Sequence, residues 1–415
     1  MIQKNMTSMM RLAPQWWVAL VFGLLIYVLR RWMERRRSLI IDRAHTSNIK
    51  PTPPQDNDST GALYSQITPL DPFDLENEEP VKLRPFKDQY HLTMAIETAT
   101  LSDLLAFDHT YKSRIELRRD LISTQGEQVT SFTSNPAATE ETDAAVRELY
   151  SWLITTYLPK RHPTLFTSTS TGLRNTVTNE TLPMLSDLSS GHDGALEALR
   201  LLGSNIDTDF LLLLPTDPSQ SAAPFTTPSS PTPTYSLRAF CTCFPSGFST
   251  LQKLDLPLSA IHAPVPSYAP KLERSMDKFF ATLPFGKIVK RANWSITTHS
   301  RLFCLSGNHI HEKEEGGDRG VEEEEEWDVR DTMLRCERQT LHRLRRTGAL
   351  VFAFKTYLYS VEELRAEGSG EQLARAIDGL GRGNVPGMMV YKRAVVWGDR
   401  VKRFLRGEEE EDVNT

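Results

Sequence analysis

The chain has 415 residues, 48 basic and 53 acidic side chains for a net charge of −5, and 39% hydrophobic residues. That composition excludes a polytopic membrane protein, a collagen-like chain and a small disulfide scaffold, and 18 Phe, 7 Trp and 11 Tyr are enough aromatic mass to fill a core. The charge is split: residues 1–43 hold eight Lys/Arg against Glu34 and Asp42, a net of +6, leaving −11 for the rest, and an acidic body with its cations gathered in an apolar head argues against nucleic acid as a partner.

The head contains an uncharged apolar run at 16–29 (WWVALVFGLLIYVL) that predicts a single membrane-spanning helix. Trp16, Trp17, Tyr27 and Trp32 suit an aromatic belt, and Arg30, Arg31, Arg35, Arg36 and Arg37 at the exit disfavour signal cleavage and place the body on the cytoplasmic side, for example of the endoplasmic reticulum. An amphipathic anchor lying in the interface is the alternative. Asn179 and Asn293 head glycosylation acceptor patterns, so a glycan on either would reverse that orientation. Residues 44–68, with Pro51, Pro53 and Pro54, read as a disordered tether, 69–405 as the folded domain, and 406–415 as an acidic tail. Two stretches read as solvated insertions: 216–234, dense in Pro, Ser and Thr, and 312–330, which includes five consecutive Glu.

Within the domain, Asn135 and Pro136 predict the N-cap and first residue of a helix running to Leu158, with Val146, Leu149, Leu153 and Tyr157 on one stripe. A second helix follows Pro270, with Leu272, Met276, Phe279, Phe280 and Leu283 on its apolar face and Pro284 as its stop. Strands are predicted at 210–214, 236–244, 287–298 and 349–359. The elements do not alternate as βαβ units, so the fold class is α+β with an antiparallel sheet. The four cysteines show no framework spacing and read as reduced thiols; Cys241 and Cys243 fall on one strand face with Leu237 and Ala239.

The common phosphate-loop, zinc-protease, nucleophile-elbow and paired-cysteine motifs are absent. Gly379, Gly381 and Gly383 lack dinucleotide-binding spacing and read as turn glycines, and His309 with His311 reads as a loop pair or a metal pair. Strand 287–298 sorts Ile288, Ala292, Trp294 and Ile296 to one face and Arg291, Asn293 and Ser295 to the other, a polar face that is either solvated or functional. His262 sits alone in a proline-rich apolar segment (IHAPVP, 261–266), as a satisfied core histidine or an axial haem ligand would. Arg335, Glu337, Arg338 and Gln339 crowd one string, an ion-pair network or an anion clamp.

Several strings together resemble the haem-dependent oxidative N-demethylase alpha-subunit-like family, especially its fungal branch: KLRPF (82–86), YHLTM (90–94), AFCTCFPSGF (239–248), IHAPVP, SMDKFF (275–280), GKIVKRANWSI (286–296), LRCERQTLHRL (334–344), FKTYLY (354–359), NVP (384–386) and VWG (396–398). The resemblance implies a PAS-like antiparallel sheet with flanking helices that binds haem b. It also implies oxidation of a small methylated amine by dioxygen and external electrons, with formaldehyde released. On that basis His262 is expected as the iron ligand and Arg291 and Arg338 as propionate partners. Trp294 or Phe240 would form an aromatic wall for the amine, and Glu337, Gln339, Asn293 and Trp294 would act on substrate or oxygen. No flavin or iron–sulfur module is recognisable, so a separate reductase is the expected partner. A non-enzymatic PAS-like haem sensor or interaction protein is the alternative.

Overall fold

A computed structural model describes residues 66–217, 232–310 and 327–408. The expected membrane-spanning segment, the expected tether as far as residue 65, most of both expected insertions, His311 and the end of the tail lie outside the described residues. Among the described residues no helix is long and apolar enough to cross a membrane.

The longest runs of β-branched and aromatic residues become the strands of one antiparallel sheet. In chain order the strands are β1 (Glu97–Ala99), β2 (Thr130–Phe132), β3 (Phe166–Thr169), β4 (Gly172–Asn175), β5 (Glu180–Pro183), β6 (Asp209–Pro215), β7 (Tyr235–Cys241), β8 (Ile288–Thr297), β9 (Met333–Arg343) and β10 (Leu350–Ser360). The main sheet runs β1-β8-β9-β10-β6-β7-β2, and β3-β4-β5 form a small second sheet. The fold is therefore mixed α+β around a large antiparallel sheet.

One face of the main sheet is covered by helices at both ends. At one end α1 (Tyr111–Gln125), α2 (Thr139–Trp152) and α3 (His192–Gly203) pack over Leu212, Ala239 and Val351. Helix α2 begins at Thr139 rather than at Pro136, because Asn135 spends its side chain on the Ala137 N–H, 3.0 Å away, in a turn that precedes the helix. The expected stripe of Val146, Leu149, Leu153 and Tyr157 is fully buried. The other face carries α4 (Leu258–His262) and α5 (Arg274–Thr282), whose Met276 and Phe280 turn toward the sheet. After β10, helices α6 (Val361–Ala366), α7 (Gly370–Gly379) and α9 (Ala394–Arg406) return to the first face over Trp294, Cys336 and Tyr357, whereas the intervening short α8 (Met388–Tyr391) lies toward the second.

The four predicted strands are all present, but the alternation fails at one point. A bulge opposite Leu212/Leu213 leaves Arg238 without a register partner on β6, so Leu237 goes to one core and Ala239 and Cys241 to another. All four cysteines are buried and free of disulfides.

Candidate functional site

Register arranges the second sheet face into an apolar end and a polar end. Val289 pairs with Leu341, and Leu341 with Phe352, which in turn faces Leu211. Along the same strands Arg291 pairs with Gln339 and Asn293 with Glu337. The inward-facing positions of β8 therefore run from Val289 to Arg291, Asn293 and Ser295, the polar face read from the sequence. Helices α4, α5 and α8 arch over this face and enclose a cavity of about 1230 Å³, above the ~300–1,000 Å³ usual for small-ligand pockets.

His262 ends α4 on the cavity wall. Its Nδ1–H donates to the Leu258 carbonyl 2.8 Å away, which fixes the tautomer and leaves Nε2 as an acceptor with no partner among the described residues. The ring stacks on Tyr268 with centroids 4.9 Å apart and planes at 16°. Burial, aided by the charges of Lys253 and Arg291 and opposed by the Leu258 bond, holds its pKa down to about 4, so the imidazole is neutral at physiological pH. His309 also lines the cavity, its ring 4.7 Å from that of Tyr391.

Four cations accompany these imidazoles. Arg291 has a buried Nε with no hydrogen-bond partner, and burial lowers its pKa. Lys253 lies 3.9 Å over the Phe248 ring, and burial pushes its pKa down to about 8. Lys392 is 3% exposed, donates one hydrogen bond to the Trp294 carbonyl, and is likewise held to about 8 by burial and by Arg291. Arg393 adopts a left-handed φ of 59° and donates to the Gly307 carbonyl. None of the four has a carboxylate within ion-pair distance among the described residues. Glu337 is the single carboxylate among the described lining residues, and Gln339 Nε2 donates to its Oε2 at 2.8 Å.

The expected site residues thus divide. His262, Arg291, Asn293, Glu337 and Gln339 share the cavity. Trp294 does not: strand parity puts it on the opposite face, where it meets Phe86 edge-on with ring centroids 6.1 Å apart. Arg338 shares that opposite face and spends its guanidinium on the carbonyls of Asp103 and Leu104. Phe240 is fully buried in the core beneath the cavity. The aromatic wall is instead Tyr90, Tyr268, Phe352, Phe354 and Tyr391. Lys253, Lys392 and Arg393 were not foreseen; no periodicity marks them, although Lys392 and Arg393 fall between two of the family-like strings.

The glycine series has a packing role that serves the site. A Cβ on Gly379 would lie 2.7 Å from the Asp88 carbonyl oxygen, and one on Gly383 would collide with that of Tyr90. Their bareness lets 379–384 grip the strand-like segment that presents Tyr90, through Tyr90 N–H to Gly379 O at 3.0 Å and Asn384 N–H to Tyr90 O at 3.2 Å.

Fold and site together present a large, partly apolar cavity lined by a neutral imidazole and by cations without ion pairs among the described residues. The family model described as haem-dependent oxidative N-demethylase, alpha subunit-like, matches residues 95–402, and the chain belongs to that family. No curated protein matches it. The residues present fit the cofactor in the family's name: a neutral imidazole with a vacant nitrogen suits haem iron, unpaired cations suit propionates, and the apolar end suits the macrocycle. Among the described residues no cluster of three His, Cys, Asp or Glu is grouped to hold a bare metal ion.

Proposed function

We propose that the protein is a haem-dependent oxidoreductase that removes a methyl group from a small methylated amine, using dioxygen and electrons from a separate reductase. The observation that carries this reading is His262, neutral, locked in one tautomer, and presenting an unpartnered Nε2 to a cavity rich in unpaired cations. His262 would hold the iron of haem b, and Arg291 and Lys253 would meet its propionates. The domain is then PAS-like in its use of a sheet face closed by short helices over a ligand. When bound, haem supplies the iron at which dioxygen is reduced while the N-methyl carbon is oxidised and leaves as formaldehyde.

This chain's own residues supply orientation and proton control. The amine nitrogen would face Glu337, whose carboxylate is held by Gln339 and takes the amine's N–H, keeping the nitrogen lone pair available. Asn293, directly opposite Glu337 in register, offers both a donor and an acceptor to the same group. The walls of Phe352, Phe354 and Val289 keep water from the methyl end. Tethering through residues 16–29 would bring this site beside a membrane reductase on the cytoplasmic side.

The test is the absorption spectrum of the full chain expressed with ample haem, followed by formaldehyde release from methylamines with a reductase supplied. A Soret band with formaldehyde formation supports the reading, and absence of a Soret band overturns it. A band without turnover on any methylamine leaves a haem sensor in its place.

A further inference from the structure

Charge in the cavity exceeds what the cofactor can balance. Lys253, Arg291, Lys392 and Arg393 line it without ion pairs among the described residues, whereas Lys290, which also reaches it, has the Asp103 carboxylate nearby. Glu337 offsets one of the four, and the two propionates of a haem would offset two more. One cation is left over on a wall where Lys392 is fully buried and Lys253, Arg291 and Arg393 are half-buried, and an unmatched charge there is disfavoured. A simple alkylammonium would add to that surplus rather than relieve it.

Lys392 and Arg393 are the two cations adjacent in sequence on this wall, each held by one backbone carbonyl and by no carboxylate within ion-pair distance among the described residues. The ammonium of Lys392 has three donors and uses one, on the Trp294 carbonyl, while nearly all of its surface is buried. Arg393 follows directly, in a left-handed conformation that non-glycine residues rarely adopt. Both lie on the same wall, with the Glu337 carboxylate close enough to Lys392 to act on its charge.

We propose that the amine taken by this site also carries a carboxylate, as an N-methylated amino acid does. The carboxylate is bound by Lys392 and Arg393 and the methylated nitrogen is turned toward Glu337. This deepens the oxidoreductase reading and rests on it. A zwitterionic substrate adds no net charge and so, unlike an alkylammonium, does not enlarge the surplus. Its negative end meets Lys392 and Arg393 and its positive end meets the Glu337 carboxylate. Lys392 and Arg393 are then specificity residues, since a substrate without the carboxylate leaves them unmatched.

The experiment is calorimetric titration of the haem-loaded full chain with N,N-dimethylglycine and, separately, with dimethylamine. The expected result is binding of dimethylglycine at least about tenfold tighter, equivalent to about 1.4 kcal/mol. Lys392→Met should abolish that preference and Arg393→Gln should reduce it several-fold, both with the Soret band unmoved. Equal or tighter binding of dimethylamine by the unmodified chain overturns the proposal, as does a preference that survives both substitutions. Failure to load haem would instead overturn the oxidoreductase reading on which it rests, so the two failures are distinguishable.

Discussion

Two groups of cations, one buried in the core and one lining the cavity where only Lys392 is fully buried, are treated in opposite ways. Beneath the helix-covered face, Lys355 lies 2.6 Å from Asp108 and 3.2 Å from Asp207, and Arg118 lies 2.7 Å from Asp209. Asp209 also accepts the N–H groups of Cys243 at 2.8 Å and Phe244 at 3.0 Å. On the cavity face, Arg291, Lys392, Lys253 and Arg393 have no such partners among the described residues. The pKa directions follow: Arg118 is raised, its neighbouring acids and thiols outweighing burial, whereas burial lowers Arg291 and brings both lysines to about 8. Paired charge marks the scaffold, and unpaired charge marks the cavity face where a ligand is proposed.

The comparison breaks most visibly if a scaffold pair is split. Asp209→Ala leaves the Arg118 charge buried and two backbone N–H groups unmet, and should cost about 3–5 kcal/mol of stability by urea unfolding. A loss under about 1 kcal/mol would put Arg118 in the same class as the cavity cations.

The opposite sign is expected at Lys392 in the ligand-free protein. Its folded pKa, about 8, lies below the ordinary 10.5, so the unfolded chain holds this proton more firmly. Its destabilising effect is absent above pH 10.5, grows as the pH falls toward 8 and is complete below it, reaching order ~3 kcal/mol at ~1.4 kcal/mol per pH unit. Lys392→Met should therefore be more stable than the unmodified chain at pH 7, with the gap closing as the pH rises to 10.5. A gap that does not change with pH would mean that the ammonium is not the source.

A smaller effect separates the two faces of the strands themselves. Arg291→Ala should weaken haem uptake roughly tenfold, about the worth of one charge-assisted contact, while Arg338→Ala should leave it unchanged and lower only thermal stability. Equal effects on uptake from both would erase the distinction between the faces.

Much of this was legible in the sequence because alternation survives wherever one strand face is apolar. Strands β6, β8 and β10 and the stripes of α2 and α5 were read close to their true bounds. Strand β9 was not, because Arg335, Glu337 and Gln339 on one face and Arg338 on the other leave it no apolar alternation. The small sheet β3-β4-β5 escaped notice because its strands are four residues long and rich in Thr and Asn. Parity already separated Trp294 from Arg291 and Asn293; what the sequence lacked was the knowledge that the polar face, and not the aromatic one, borders the cavity. Lys392 and Arg393 gain their meaning from a chain reversal after α8, which no local pattern announces. Asn293 shows the same limit: its acceptor pattern lies on an inward-facing strand, so Asn179 on the exposed β4–β5 turn is the glycan site that can report orientation.

The central claim is that His262 is the residue prepared to hold haem iron, and absorption spectra of the haem-loaded full chain carrying His262→Ala or His309→Ala test it most directly. The Soret band should be lost or shifted by His262→Ala and should keep its position in His309→Ala. An unchanged band in His262→Ala would contradict the assignment.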